Sequence, residues 1–406
     1  MKNKYIIRPR EAHDDSEFID LRRKVFGDDK EFIDFFDSCF QDDYLDLVII
    51  ESLDDKEVLQ AALTQFNMGQ LVVPAWKQSS LDGKQVEISY AICTDKVARG
   101  KGYGSHITVY ARELAESSRK LSMLSPAEPS LIDFYAPLGY REFMYAEQGV
   151  VAADLAAAQC EIKDILAASS AVAGCAEANS DDTNGNILPV SDDWIIKFEN
   201  ITPEKYNCYR EAILAERAHI KLSEGALRFV AGSAAGAGCA GLLLVSAVSC
   251  AGSADGAHGA ASAEAAADGA HGAARNEVGF AVNRAARDEA ATSVNRASSA
   301  DVGLDTGDVL PLAIAACETG EVPGSLAASE LLTFSEVGGD KKLGTAIAKA
   351  LAARSGKHSC EYMMPGIAGS KSTAALGLLA ADDDDLTEIY GGEQGEYLPY
   401  MGFTFG

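Results

Sequence analysis

Several features that would direct this chain to the outside of the cell, a membrane or a nucleic acid are missing. Its nine cysteines are an odd number. None forms a C-x-x-C pair or lies near a His doublet, so neither a disulfide framework nor a metal site is indicated, and a reducing cytoplasmic setting is expected. No run of 18 uninterrupted apolar residues occurs, so no helical membrane span is expected. The opening MKNKYIIRPREAHDD turns charged too early for a signal peptide. Basic residues are scarce: 35 Lys+Arg against 61 Asp+Glu leave a formal charge of −26. That sign opposes binding to nucleic-acid phosphates or to an anionic membrane. What remains is ordinary for a globular protein, with 47% apolar and 24% charged residues in 406, enough for two to three domains at roughly 150 residues each.

Residues 1–150 carry clear periodicities. Phe18, Leu21, Val25 and Phe26 recur at helical spacing over 14–26 behind Asp14 and Asp15, and Gly27 ends the helix. A second helix, Asp29 to Phe40, bears an aromatic stripe of Phe32, Ile33, Phe35, Phe36 and Phe40 that reads as core. Extended pieces follow at Leu45–Glu51, Val58–Asn67, Leu71–Pro74 and Val86–Cys93. A glycine-rich turn then leads into a helix from Gly104 to Arg119, a strand at Lys120–Leu124, a short helix around Leu131–Tyr135 and a strand at Arg141–Tyr145. This order predicts a mixed α/β domain. An Ala-rich helix and linker fill 151–190, and 191–406 repeats the order loosely, with strands expected at Leu227–Val230, Leu242–Val248, Val309–Cys317, Leu331–Phe334 and Cys360–Met364 and a helix at Lys341–Arg354. An Ala/Gly/Ser-rich segment, about 249–307, contains the octapeptide ADGAHGAA twice. It has too few large apolar side chains to offset its ordering entropy and is expected to be a mobile insertion.

The residues that carry chemistry lie in Ile92-Cys-Thr-Asp-Lys-Val-Ala-Arg99-Gly-Lys-Gly-Tyr-Gly104-Ser105. A strand ends, three glycines spaced two apart turn the backbone, and a helix begins. Converging N–H groups and the helix N-terminus form an anion cradle suited to a pyrophosphate, to which Arg99 and Lys101 add charge. The Rossmann pattern G-x-G-x-x-G fails at Ser105, and the Walker pattern is absent. A purely structural turn would also demand glycines here.

About thirty residues on stands Phe-Tyr135-Ala-Pro-Leu-Gly139-Tyr140. With Arg99, Gly102 and Gly104 meeting [R/Q]-x-x-G-x-[G/A], and Tyr135, Gly139 and Tyr140 meeting Tyr-x-x-x-Gly-[Phe/Tyr], the sequence resembles the GNAT superfamily of acetyl-CoA-dependent N-acetyltransferases. The resemblance implies a GNAT fold of mixed, mostly antiparallel twisted sheet with flanking helices. It implies that the backbone of Ile92, Cys93 and Thr94 takes the pantetheine arm of acetyl-CoA while Gly100, Lys101, Gly102, Tyr103, Gly104 and Ser105 take the pyrophosphate. Tyr135 would protonate the departing thiolate; otherwise it is a buried aromatic on Leu131. Glu128 stands where many members place an Asn that contacts the cofactor.

Length and a second lobe make the chain similar to bacterial tandem-GNAT proteins related to the enhanced-intracellular-survival acetyltransferases, with the match good over 1–150 and weak over 191–406. In the second lobe the corresponding turn, Ser335 to Gly344, lacks the motif and carries Glu336 and Asp340, which would oppose phosphate. This lobe is expected to bind no CoA and to wall the acceptor site. Amine attack on a thioester requires removal of a proton. Glu87, alternating with Ser89 and Ala91, and the terminal carboxylate at Gly406 are the candidates, Glu87 having the alternative of a solvated strand residue. The expected activity is acetyl transfer to a primary amine, an acidic surface favouring a cationic acceptor by steering. A non-catalytic acyl-CoA-binding or scaffold protein is the alternative, and the oligomeric state is left open.

Overall fold

The computed structural model describes residues 5–41, 43–54, 56–168, 187–191, 194–235, 241–249, 309–334, 340–366, 368, 370–390 and 398–402. The low-complexity segment and most of the 151–190 linker beyond its helix lie outside these residues. The first half runs β1 (Tyr5–Pro9), α1 (Asp15–Phe26), α2 (Lys30–Phe40), β2 (Tyr44–Leu53), β3 (Lys56–Val72), β4 (Gln85–Thr94), α3 (Tyr103–Ser117), β5 (Leu121–Leu124), α4 (Ile132–Tyr135), β6 (Tyr140–Ala152) and α5 (Leu155–Ala168). The second half runs β7 (Ile187–Ser191), β8 (Trp194–Asn200), α6 (Pro203–Leu214), β9 (His219–Leu222), α7 (Glu224–Ala235), β10 (Gly241–Ser249), β11 (Val309–Thr319) and β12 (Ser325–Thr333). It closes with α8 (Lys341–Arg354), β13 (Ser359–Pro365), β14 (Thr373–Ala380) and α9 (Asp383–Tyr390).

Local chemistry explains the helical start. Gly27 ends α1 at φ 83, and the Asp29 side chain accepts the Phe32 amide to open α2. The four-residue spacing of Tyr103, Ile107, Ala111 and Ala115 gives α3 one buried face. That face meets Leu47, Ile49, Ala61 and Leu63 of the sheet. Phe36 and Phe40 of α2 cover the opposite face with Phe66, Val86 and Ile88, so alternate residues of β4 serve two different layers.

All strands among the described residues join one mixed, mostly antiparallel sheet in the order β1-β2-β3-β4-β5-β14-β6-β13-β12-β11-β10-β8-β7, with β9 beside β3. The expected fold class is therefore found. Among the described residues the parallel pairs are β4 with β5 and β12 with β13, each spanned by a helix, α3 or α8. These crossovers are the repeated unit of the two lobes.

The halves are interleaved. Strand β14, late in the chain, lies between β5 and β6, pairing Leu378 with Leu124 and Thr373 with Glu147. Strand β6 pairs with β14 over its first part and with β13 from Ala146 to Ala152. Strand β9 adds to β3, where a Cβ on Gly69 would come within 1.9 Å of the Lys221 carbonyl oxygen, so glycine alone fits. The expected strand at Leu227–Val230 is instead part of α7. Its Leu-Arg-Phe-Val run looks extended in isolation, but Phe229 packs among Phe35, Phe36 and Phe40 of α2, and tertiary contact overrides the local preference. No helix among the described residues is long and apolar enough to cross a membrane.

Candidate functional site

The glycine-rich segment occupies the top of β4. Ala91 takes φ 51, unusual for a residue with a Cβ, and the register against β3 jumps between Ala62 and Thr64. This is a β-bulge, which bends the strand and re-aims its backbone. Pairing of β4 with β5 ends at Ser89 and Leu124, whereas β4 continues to Thr94 along β3. The backbone of Ile92, Cys93 and Thr94 therefore has no partner strand on the β5 side among the described residues. A slot opens there between two parallel strands.

Above the slot, Asp95 accepts the Val97 amide at 2.9 Å and starts a tight turn. Gly100 and Gly102 stand at φ 84 and 83, a region closed to most side chains. Helix α3 then begins with no side-chain cap. Its first intrahelical bond runs from the His106 amide to the Gly102 carbonyl at 3.0 Å. The amides of Gly100, Gly102, Gly104 and Ser105 have no hydrogen-bond partner among the described residues, and N-terminal amides point along the helix axis. No side chain among the described residues offsets the partial positive charge of this helix end, and its free amides are of the kind that can hold an anion.

The flanking side chains divide. Arg99 is exposed with no ion-pair partner among the described residues. Lys101, expected to lend free charge, is bonded to the buried Glu51 at 2.8 Å; it pins the turn to β2, and its charge is largely spent there. Tyr103 is buried and packs with Ile107 in the core beneath α3, so only its backbone is suited to a ligand. The Cys93 thiol is buried beside Phe18 and Leu21, and desolvation pushes it up to about 12, so this cysteine likewise offers only its backbone.

Tyr135 is at the same opening. It packs in one cluster with Leu124 at the end of β5, Tyr140, and Ile92 at the slot, and contacts Phe134 edge-on. Burial, with Tyr140 nearby, pushes its phenol up to about 12, which keeps the proton on and makes it a donor at neutral pH. Phe134, 40% exposed, lies 3.7 Å from where a Cβ of Gly104 would be, as does Thr94 Oγ1. Sequence reasoning passed over Phe134, although its place beside Tyr135 on one short helix was a usable signal. Glu128 is exposed and bonded to Ser130 at 2.7 Å.

Neither base candidate joins this group. Glu87 lies near the other end of β4, roughly 20 Å from Thr94 at strand rise. It is buried under α3, where Lys120 and Gln85 both donate to its Oε1 at 2.6 and 3.1 Å. The expectation of a catalytic base at Glu87, and that of a solvated residue there, are both replaced by a buried ion pair. Gly406 lies outside the described residues. No group of three or more His, Cys, Asp or Glu side chains placed to hold a metal occurs among the described residues.

The second crossover is built differently. Asp340 caps α8, its carboxylate accepting the Lys342 and Leu343 amides at 2.9 and 3.1 Å. A side-chain anion already occupies the helix end that α3 leaves open. Residues 335–339 of that turn lie outside the described residues.

No protein-family model matches the chain, and no curated protein matches it in sequence. Among solved structures it is similar to a conserved protein of Enterococcus faecalis, 10% identical, over 93% of this chain and 72% of that one, with a TM-score of 0.49. It is also similar to GCN5-related N-acetyltransferases. One, from Anabaena variabilis, is 10% identical over the same shares, with a TM-score of 0.46. The glucosamine-6-phosphate N-acetyltransferase of Arabidopsis thaliana is 22% identical over 34% of this chain and 90% of its own, with a TM-score of 0.27.

Proposed function

We propose that this chain is an acetyl-CoA-dependent N-acetyltransferase acting on a primary amine. The observation that carries the reading is a coincidence in one place. A bulged strand with one backbone edge open, an uncapped amide-rich helix end above it, and a buried phenol beside it converge at the top of β4. Each part answers one need of the chemistry. The helix end with Gly100, Gly102, Gly104 and Ser105 offers donors to a pyrophosphate, and Arg99 adds formal charge. The open edge at Ile92 to Thr94 offers peptide groups to an extended amide-bearing arm and polarises the thioester carbonyl. When a neutral amine attacks, the new N–C bond forms as the C–S bond breaks. The Tyr135 O–H then gives its proton to the sulfur that leaves, and the proton shed by the acylated amine returns through water to the Tyr135 oxygen, so that CoA departs as a thiol and the phenol is restored.

The acidic surface supports a cationic acceptor through steering, and the self-capped second lobe supports a single CoA site per chain. Likeness to the enhanced-intracellular-survival enzymes and a cytoplasmic setting belong to the same proposal. The test is calorimetry with CoA, alongside thiol release from acetyl-CoA across a panel of amines. Saturable binding that Gly102→Glu abolishes, with amine-dependent thiol release, is expected. Binding without turnover would favour the acyl-CoA-binding alternative, and no binding at all would refute both of these and favour the scaffold.

A further inference from the structure

Beside the open end of α3 lies a ring that belongs to neither sequence motif. His106 stands one turn into the helix, and helical side chains lean toward the N-terminus, so its imidazole reaches back over the turn that precedes α3. A Cβ on Gly102 would lie 3.3 Å from its Cε1 and 3.5 Å from its Nε2, with Nδ1 farther away at 3.9 Å. The edge of the ring that carries Nε2 therefore rests on the turn whose amides are free. The other edge is held. Nδ1 is 3.0 Å from the Tyr5 hydroxyl, and the two rings stack at 5.5 Å and 7°. Tyr5 is itself set edge-on against the buried Tyr103 at 5.2 Å. His106 is exposed, and its Nε2 has no hydrogen-bond partner among the described residues.

The charges around this ring are already matched or fixed. Glu51 of β2 stands opposite Tyr5 in the sheet, and Lys101 neutralises it at 2.8 Å. Lys101 also lies over the Tyr103 ring, 5.7 Å from its centroid. Arg99 in the turn is a permanent cation, and the phenols of Tyr5, Tyr103 and Tyr110 on β1 and α3 carry no charge at neutral pH. No carboxylate pairs with His106 among the described residues. Imidazole is thus the group at this end whose charge can change near neutrality. Neither state of the ring conflicts with Tyr5: the hydroxyl donates to a bare Nδ1, or accepts from it when both nitrogens carry protons.

We propose that His106, braced by Tyr5, binds a phosphate oxygen of CoA through Nε2 and links CoA binding to protonation of the imidazole. The inference rests on the acetyl-CoA reading and adds a residue and a regulation to it. Phosphate charge favours the protonated ring, and an N–H donor that carries charge bonds phosphate about twice as strongly as a neutral one. Affinity for CoA therefore rises as pH falls. With Lys101 committed to Glu51, His106 supplies the charge that the turn lacks.

Calorimetric titration of the full chain with CoA at about pH 6 and about pH 8.5, either side of the range in which histidine titrates, tests the proposal. Wild type should bind about tenfold more tightly at the lower pH, the worth of one charge-assisted bond. His106→Ala, at an exposed helical position that alanine suits, should lose most of this dependence and bind about tenfold more weakly near pH 6. His106→Lys, with a charge that persists across the range, should show little dependence. Tyr5→Phe, which keeps the stacked ring and removes the hydroxyl, should fall between wild type and His106→Ala. Ionisation of the CoA phosphates is common to all four chains, so the difference between them reads the imidazole. The same ratio of affinities at the two pH values in wild type and His106→Ala would overturn the proposal and leave the transferase reading standing. Absence of CoA binding in wild type would overturn both.

Discussion

Replacing Glu147 by Gln should cost this protein about 2 kcal/mol at neutral pH, and the loss should fade in acid. Glu147 lies where β6 passes from β14 to β13, opposite Thr373 on one side and Met364 on the other. Its side chain is fully buried. It accepts hydrogen bonds from Lys341 and Ser372, from Ser370 at 2.7 Å and from Thr373 at 3.0 Å. Burial by itself would raise its pKa, but these donors together bring it from 4.5 down to about 2. A carboxyl moved that far represents about 3 kcal/mol in favour of the ionised folded form. The Lys341 side chain is 44% exposed, and solvent screening trims the figure to about 2 kcal/mol. Because the folded value lies below the unfolded one, the contribution is complete above the unfolded value and disappears as pH falls through about 2. Urea unfolding of wild type and Glu147→Gln, followed by fluorescence at pH 7 and at successive steps toward pH 2, measures both the size and the pH window. Equal stability at pH 7 would refute the reasoning, as would a deficit that stays constant into strong acid.

Four further outcomes follow from the site and the sheet. Gly102→Ala places a Cβ at φ 83 and 3.3 Å from His106 Cε1; the strain of about 1–2 kcal/mol should weaken CoA binding about tenfold by calorimetry, and unchanged affinity would count against the cradle. Tyr135→Phe should lower kcat for acetyl transfer at least tenfold with unchanged CoA affinity. Since burial holds the wild-type phenol at about 12, its ionisation should cause no fall in rate up to about pH 10, and an alkaline limb near 9 assigned to Tyr135 would contradict this. A fragment ending at Ala168 lacks β14 and leaves edges of β5 and β6 unpaired; it should aggregate where the full chain stays monodisperse in light scattering. A soluble, folded fragment would show that the inserted strand is dispensable.

The sequence by itself determined the elements that local chemistry defines. Periodic apolar positions mark α1, α2 and α3, with Gly27 closing α1 and Asp29 opening α2, whereas the Asp14 side chain makes no cap bond; the Lys341–Arg354 helix was legible to its ends. The glycine turn was legible too, because a positive φ at Gly100 and Gly102 disfavours most side chains, and strand-glycine-helix order is itself the geometry that gathers amides. Tertiary structure decided what depends on partners distant in the chain. Lys101 looked like free charge until Glu51, fifty residues earlier, was seen to hold it, and Glu87 looked like a base until Lys120 was found on it. Leu227–Val230 became helix because α2 presents phenylalanines to Phe229. The β14 strand, with its small residues and weak alternation, gave little local sign of itself, yet it fills the gap between β5 and β6. Strand pairing is a long-range contact whose free energy comes from both edges at once, so neither edge alone announces its partner.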